Sequence, residues 1–402
     1  VRLYQLLLSD RAMLKRLSLI GLTLFLPLAG YALSTFYAIS PGSARGGTYL
    51  LGLGIARAFA FCVLLSANVG LRRITEKTLY IITAVVVGFG LLQFFLDVFG
   101  ASTAVTDLRH CCTSNSTYVF PRVHSTSLEP LYFDHFLMIP LWLMTFRFLK
   151  DKPSRENKKL TLLFAATATL FILTIARSAT VGLIVASLFF IYAIRKEVGF
   201  KPFLKFMAKQ WGIAVGLTAV FIVISGVAAQ FIDKQAQYGA DSGFGSLSLF
   251  GSHAVDFDDG SSQTRYRLWP KAIGYFEEEP LLGVGANNSR IKLNMEEYNK
   301  GTEFKKLQPF NNDAIAYVVE LGLLGIVLIA PLLSLLFIVV RREVRNGLTH
   351  WAAPFIFTLI GMAIQSNFFQ SVLLTRTWVT IGLVLVLYSA PLAIKKTSKV
   401  KS

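Results

Sequence analysis

The residues best suited to chemistry are arginines placed where arginine is costly. Arg122, Arg177, Arg265, Arg267, Arg290 and Arg376 stand at or beyond the ends of apolar runs, on the side away from the main lysine and arginine clusters. A guanidinium presents a planar fork of donors that matches phosphate oxygens. A row of them beside a bilayer suits a diphosphate head group held at the membrane surface. The competing reading of each is a bond to a lipid phosphate or a local carboxylate. Arg177 has the stronger claim, because it tips a short hairpin between two apolar runs and a charge at membrane depth is costly. Arg57, midway along a run, reads as a structural ion pair with a carboxylate such as Asp134. Glu129, His124 and Asp313 are the acid–base groups on the arginine side. Glu129 comes first as proton acceptor, since it sits at the mouth of an apolar run just after Arg122. Its structural alternative is a helix N-terminal carboxylate, worth about 0.3–1 kcal/mol.

The elements that must position these groups are written in the hydropathy. The chain has 402 residues, 54% of them hydrophobic, with a mean hydropathy of +0.55. Apolar runs of roughly twenty residues recur throughout, each long enough to cross a bilayer as a helix, and an open structure in lipid must be helical to satisfy its own backbone. About ten spans are expected, near 17–39, 49–69, 79–99, 131–148, 160–175, 180–194 and 211–229, then one ending before Arg341, and finally 351–368 and 378–394. The basic clusters alternate between them: Arg11, Lys15 and Arg16, then Arg72, Arg73 and Lys77, then Arg147 to Lys159, Arg195 to Lys209, Arg341 to Arg345, and Lys395 onward. Placing all of these on the cytoplasmic side satisfies the positive-inside bias. Both termini are then cytoplasmic, and the polar segments 100–130 and 230–312 face outward. The expected fold is all-α: an N-terminal membrane bundle over 1–229, a large outer loop over 230–312 and a C-terminal bundle over 313–402. A net charge of +17 distributed in this way speaks for membrane topology and against a nucleic-acid partner.

Three local patterns carry more information. The first is R-V-H-S-T-S-L-E-P-L-Y-F from Arg122 to Phe133, and the second is I-A-R-S-A-T-V-G-L from Ile175 to Leu183. The third is spread out: S-S-Q-T-R-Y-R-L-W, then P-L-L-G-V-G, then N-N-D-A-I-A-Y-V-V-E-L-G-L-L-G. Together they resemble the O-antigen ligase and polymerase superfamily of bacterial surface-polysaccharide assembly. The pairing of P-L-L-G-V-G with a later E-L-G-L-L-G is the most specific part. The resemblance implies a GT-C-like helical fold in the bacterial inner membrane and an active site on the periplasmic face. It implies a glycosyltransferase that moves a glycan from an undecaprenyl-diphosphate carrier to an acceptor sugar hydroxyl, without cofactor or required metal. Arg177 aligns with the family's hairpin-tip arginine and Arg265 with the arginine four residues before its loop tryptophan, both diphosphate ligands, with Arg122, Arg267 and Arg290 as supporting cations. The ligases place a histidine, their proposed base, followed by asparagine before the glutamate of the eighth span. Here Asn311 and Asn312 occupy those positions, and an amide takes no proton at neutral pH. That substitution favours the polymerase branch over a ligase acting on lipid A-core or a protein oligosaccharyltransferase. The implied partners are the lipid-linked glycan, an acceptor glycan or lipid A-core, membrane lipids and a chain-length regulator.

A lipid-linked oligosaccharide flippase is the reading from a different class. It calls for two similar halves, whereas this chain puts its polar mass on one face. The chain has three cysteines. Cys62 reads as apolar packing, and a bridge between the neighbours Cys111 and Cys112 is geometrically strained. The stretch 238–262, rich in glycine and serine, reads as a flap that orders on substrate. From Arg265 to Phe276 a helix is expected, interrupted early by Pro270. No cleavable leader is read before the first span, whose own apolar run directs insertion.

Overall fold

A computed structural model describes residues 10–99, 123–127, 129–150, 155–195, 200–231, 260–299, 310–369 and 371–389. Among these residues every regular element is a helix: α1 (Arg11–Ser34), α2 (Pro41–Ala67), α3 (Val69–Val98), α4 (Pro130–Lys150), α5 (Arg155–Leu173), α6 (Arg177–Ile194), α7 (Phe200–Phe231), α8 (Gly260–Glu278), α9 (Ser289–Asn299), α10 (Asp313–Arg345), α11 (Pro354–Gln365) and α12 (Thr375–Ser389). A helix stands at each position where the sequence predicts a span. Six of them, α1, α2, α3, α6, α7 and α10, are long and apolar enough to cross a membrane, while α11 and α12 are shorter apolar helices. The chain is therefore a multi-pass membrane protein.

Local chemistry sets the helix ends. The Asp10 carboxylate accepts from the Met13 N–H at 2.9 Å, and Ser40 followed by Pro41 starts α2. Asn68 ends α2 and caps α3 through the Gly70 N–H. That single residue makes the turn, so Arg72, Arg73 and Lys77 lie within α3 and not in the loop that hydropathy suggests.

The packing is arranged for lipid. Val85, Leu162, Leu188, Val327 and Phe337 lie exposed on outward helix faces, where a water-soluble protein would place polar groups. α4 is enclosed instead, with Phe133, Leu137, Met138, Leu141, Trp142 and Phe146 buried. Trp142 and Phe146 stack against Phe190 of α6 and Phe357 of α11 at ring separations of 5.2 to 5.5 Å. Close crossings use small residues, as membrane helix pairs do. A Cβ on Gly182 of α6 would fall 2.4 Å from the Gly361 carbonyl of α11, and one on Gly382 of α12 would fall 2.4 Å from the Ala58 carbonyl of α2. A separate apolar cluster, Leu268, Ala272, Tyr275, Val284, Leu293, Phe310 and Val319, seats α8 and α9 on the start of α10. That packing carries α8 straight through Pro270, where the sequence predicts an interruption. The stretch 238–259, which holds most of the expected flap, lies outside the described residues, as do Cys111 and Cys112. Cys62 is a buried free thiol.

Candidate active site

The functional motifs gather at one end of the bundle. P-L-L-G-V-G and E-L-G-L-L-G form one backbone knot. Val284 N–H donates to Val319 C=O at 3.0 Å, Gly285 N–H to Glu320 C=O at 2.9 Å, and Leu323 N–H to Pro280 C=O at 2.9 Å. Two glycines make this approach possible. Gly283 has φ +68°, and a Cβ there would lie 2.5 Å from the Val319 carbonyl oxygen. Gly322 breaks α10 at φ 58°, ψ −151°, a region open to glycine. A Cβ there would lie 2.6 Å from the Leu281 carbonyl carbon.

Glu320 locks the knot from inside. It is 4% exposed, and its two carboxyl oxygens accept from the Asn287 N–H at 2.7 Å and the Ser289 hydroxyl at 2.6 Å. The same turn is strapped to the α1–α2 junction. Ala286 N–H donates to Ser34 Oγ at 3.0 Å, Ser40 N–H to Asn288 Oδ1 at 2.7 Å, and Asn287 Nδ2 to Ser43 Oγ at 3.0 Å. Arg290 follows directly, half-buried at the start of α9, where its charge acts on Glu320.

The hairpin between α5 and α6 supplies the next group. Ile175 turns the chain at φ 53°, an uncommon conformation for a β-branched residue. The Thr174 hydroxyl donates to Asp134 of α4, which is fully buried. Arg177 then opens α6, half-buried, with Ala176 giving no side-chain cap. The first N–H groups of a helix have no intrahelical partner. A cation there also opposes the helix dipole. A helix N-terminus carrying a cation is a favourable place for an anion.

The entrance to α4 is built around His124. Its Nδ1–H lies 2.8 Å from the Ser127 carbonyl and its Nε2 lies 2.8 Å from Gln93 Nε2. Gln93 Oε1 also accepts the N–H groups of His124 and Ser125, at 3.2 and 2.9 Å. Both ring nitrogens are therefore occupied, so His124 anchors this turn to α3. Glu129, half-buried, opens α4 with its carbonyl accepting from Tyr132 and Phe133. The Tyr132 carbonyl in turn accepts from Arg376 of α12, whose guanidinium lies over the Tyr132 ring.

Asn311 takes φ 51°, and Asn312 caps α10 by accepting the Ile315 N–H at 3.0 Å. The Asp313 carboxylate accepts from the Ser371 N–H at 2.8 and 2.9 Å, the Ser371 hydroxyl at 2.5 Å and the Val372 N–H at 3.1 Å. Asn312 and Asp313 thus bind α10 to the α11–α12 link. His135, fully buried, joins Gln365 of α11 at 3.2 Å and Thr377 of α12 at 3.1 Å. Arg57 donates to the Thr375 hydroxyl at 2.9 Å; the pairing with Asp134 expected from the sequence is not made. The α12 start projects far enough along α2 for that bond to form.

Arg177, Glu129, His124, Asp313 and Arg290 therefore share one end of the bundle, together with Arg376. Arg265 and Arg267 fall on α8, which packs against α10 beside the knot. Arg122 lies outside the described residues. Reasoning from sequence missed Glu320, Gln93 and the Asp134–Thr174 contact. An acidic residue inside an apolar run is itself a signal, and Glu320 carries it.

The structure is thus a membrane bundle whose knotted motifs and a group of cations lie together at one end. Residues 162–330 match the family described as O-antigen ligase, which supports the resemblance to the O-antigen ligase and polymerase superfamily read from the sequence. No curated protein matches it. The matched stretch runs from α5 into α10. It contains Arg177, Arg265, Arg267, Arg290, Asn311, Asn312, Asp313 and Glu320, and leaves His124 and Glu129 upstream.

Proposed function

We propose that this chain is a polysaccharide polymerase of the bacterial inner membrane, with about ten spans, both termini in the cytoplasm and its active site on the periplasmic face. The observation that carries the reading is Arg177: a half-buried cation on a helix N-terminus with no side-chain cap, at the end where the family motifs knot together. Arg177 and Arg265 hold the diphosphate of an undecaprenyl-linked glycan, with Arg122, Arg267 and Arg290 adding positive field. The carrier's lipid tail stays in the bilayer. An acceptor sugar hydroxyl attacks the anomeric carbon, the new C–O bond forms as the bond to the diphosphate breaks, and undecaprenyl diphosphate leaves. Glu129 accepts the hydroxyl proton. Most of the barrier is lowered by stabilising charge on the leaving diphosphate.

Polymerase is preferred to ligase because Asn311 and Asn312 stand where the ligases carry their proposed base, and Asn312 is engaged as a helix cap. The domain division follows the same plan: the bundle over 1–229 holds the hairpin arginine, the loop over 230–312 contributes Arg265 and Arg290, and the bundle over 313–402 supports the knot. The test is the surface polymer of cells carrying Arg177→Ala at normal protein level. Losing one donor to the transition state costs about 2.7–4 kcal/mol, roughly a hundredfold to a thousandfold in rate. A polymerase leaves single repeats on the lipid anchor, whereas a ligase leaves full polymer stranded on the carrier. Wild-type chain lengths would overturn the assignment of Arg177.

A further inference from the structure

The face opposite Arg177 holds a cavity unrelated to the site above. It has a volume of about 500 Å³ and is lined by Arg73, Glu76, Lys77 and Tyr80 of α3, Arg147 of α4, and Lys159, Leu160 and Leu163 of α5. Lys159 lies near the start of α5, and Arg177 follows the far end of that helix, about 20 Å of helical rise away. Glu76 is the one acid of the lining. It is already engaged, accepting from Arg147 at 2.8 Å and from the Tyr80 hydroxyl at 3.3 Å. Among the described residues Arg73, Lys77 and Lys159 form no ion pair. A second cleft of about 300 Å³ shares Glu76 and Arg147 and is lined by Leu143, Phe146, His350, Trp351 and Pro354. The Trp351 indole N–H there is buried and without a hydrogen-bond partner among the described residues.

We infer that this cleft binds the head group of an anionic phospholipid from the adjacent leaflet. Among the described residues, three cations surround one neutralised acid, and the lining carries an excess of positive charge. Its Leu160 and Leu163 wall continues into the lipid-facing side of α5, where Leu162 is exposed. A phosphate bridging Arg73, Lys77 and Lys159 would leave its acyl chains against that wall. Basic pockets between membrane helices recognise lipid head groups in this way. Positive residues at helix ends also serve topology alone, but topology needs no cavity and no apolar wall.

The test uses the full chain, purified in detergent and stripped of lipid, with native mass spectrometry and thermal unfolding as readouts. Phosphatidylglycerol should bind and stabilise, and phosphatidylcholine with the same acyl chains should not. The triple variant Arg73→Gln, Lys77→Gln, Lys159→Gln should bind phosphatidylglycerol roughly a hundredfold more weakly, about fivefold for each cation near the surface. Should that variant fail to fold, the wild-type preference is measured from low to high salt, where screening must reduce it. Equal binding of the two lipids, a triple variant that behaves as wild type, or a preference indifferent to salt would each overturn the inference. Inorganic phosphate that stabilises the lipid-free protein as well as phosphatidylglycerol does would overturn it too, by assigning the cleft to a soluble anion.

Discussion

Replacing Glu320 with alanine should open the outer knot while leaving the membrane bundle folded. The carboxyl accepts two short hydrogen bonds, from the Asn287 N–H and the Ser289 hydroxyl, in a site that is 4% exposed. Each donor left buried without a partner costs about 1–3 kcal/mol. Removing the buried carboxyl recovers part of its desolvation cost, so the net loss is about 2–4 kcal/mol. Opening of the 283–288 turn should then become roughly thirty to several hundred times more frequent, at about 1.4 kcal/mol per tenfold change. Hydrogen exchange resolves this directly. The Val284, Gly285 and Asn287 amides, bonded to Val319, to the Glu320 carbonyl and to the Glu320 side chain respectively, should lose protection. The amides of α4 and α6 should keep theirs. Glu320→Gln retains one acceptor oxygen but turns an amide donor toward another donor, so it should fall between wild type and Glu320→Ala. Unchanged exchange across 283–288 in Glu320→Ala would refute the view that this side chain locks the knot.

Gly322→Ala places a Cβ at φ 58°, ψ −151° and 2.6 Å from Leu281; it should cost at least about 1–3 kcal/mol and show the same loss of protection at 283–288. Asp313→Ala leaves the Ser371 and Val372 N–H groups and the Ser371 hydroxyl without their acceptor, so exchange should rise at residues 371 and 372, with a loss of about 2–4 kcal/mol. Arg177→Lys should restore little of the polymer lost in Arg177→Ala, because lysine keeps the charge without the paired donors; full restoration on gels would mean that charge alone suffices. A reporter fused at Gly260 should behave as periplasmic, and cytoplasmic behaviour would reverse the proposed orientation.

The helices were legible because the bilayer imposes one simple rule on their composition. Helix positions followed from hydropathy, but their ends did not. The start of α3 depends on Asn68 accepting the Gly70 N–H, and the passage of α8 through Pro270 depends on packing by Leu268, Ala272 and Tyr275. The motif positions were legible as well, since P-L-L-G-V-G and E-L-G-L-L-G stood out as letters. Their meaning was not. Only the fold shows that Gly283 and Gly322 are there so that two backbones can touch, and that the glutamate between them faces inward to Asn287 and Ser289. His124 and Asp313 read as proton carriers by residue type. In the fold their hydrogen-bonding atoms are engaged by Gln93 and Ser127, and by Ser371 and Val372. Such partners are remote in sequence and leave no periodicity behind.

The two ends of the bundle are held by different mixtures of contacts, and the difference bears on the proposed transfer. Toward the Glu76–Arg147 end, a few polar bonds such as Arg147–Glu76 are joined by aromatic packing such as Trp142 and Phe146 on Phe190 and Phe357. Such contacts tolerate small shifts. The opposite end is held by directional bonds between side chains and backbone: Asp313 to the α11–α12 link, Glu320 to the 287–289 turn, Gln93 to the 124–125 turn, and Thr174 to Asp134. Each of those bonds fixes an angle as well as a distance. A glycosyl transfer between two lipid- or polymer-bound sugars needs its diphosphate, anomeric carbon and acceptor oxygen held in line, where small misplacements cost much of the rate. Arg177 gains that definition from a turn in which Thr174, two residues before the cap Ala176, is pinned by the buried carboxylate of Asp134. On this view Asp134→Asn, which keeps the bulk and one acceptor but weakens the pin, should lower turnover through Arg177 without changing how much protein reaches the membrane.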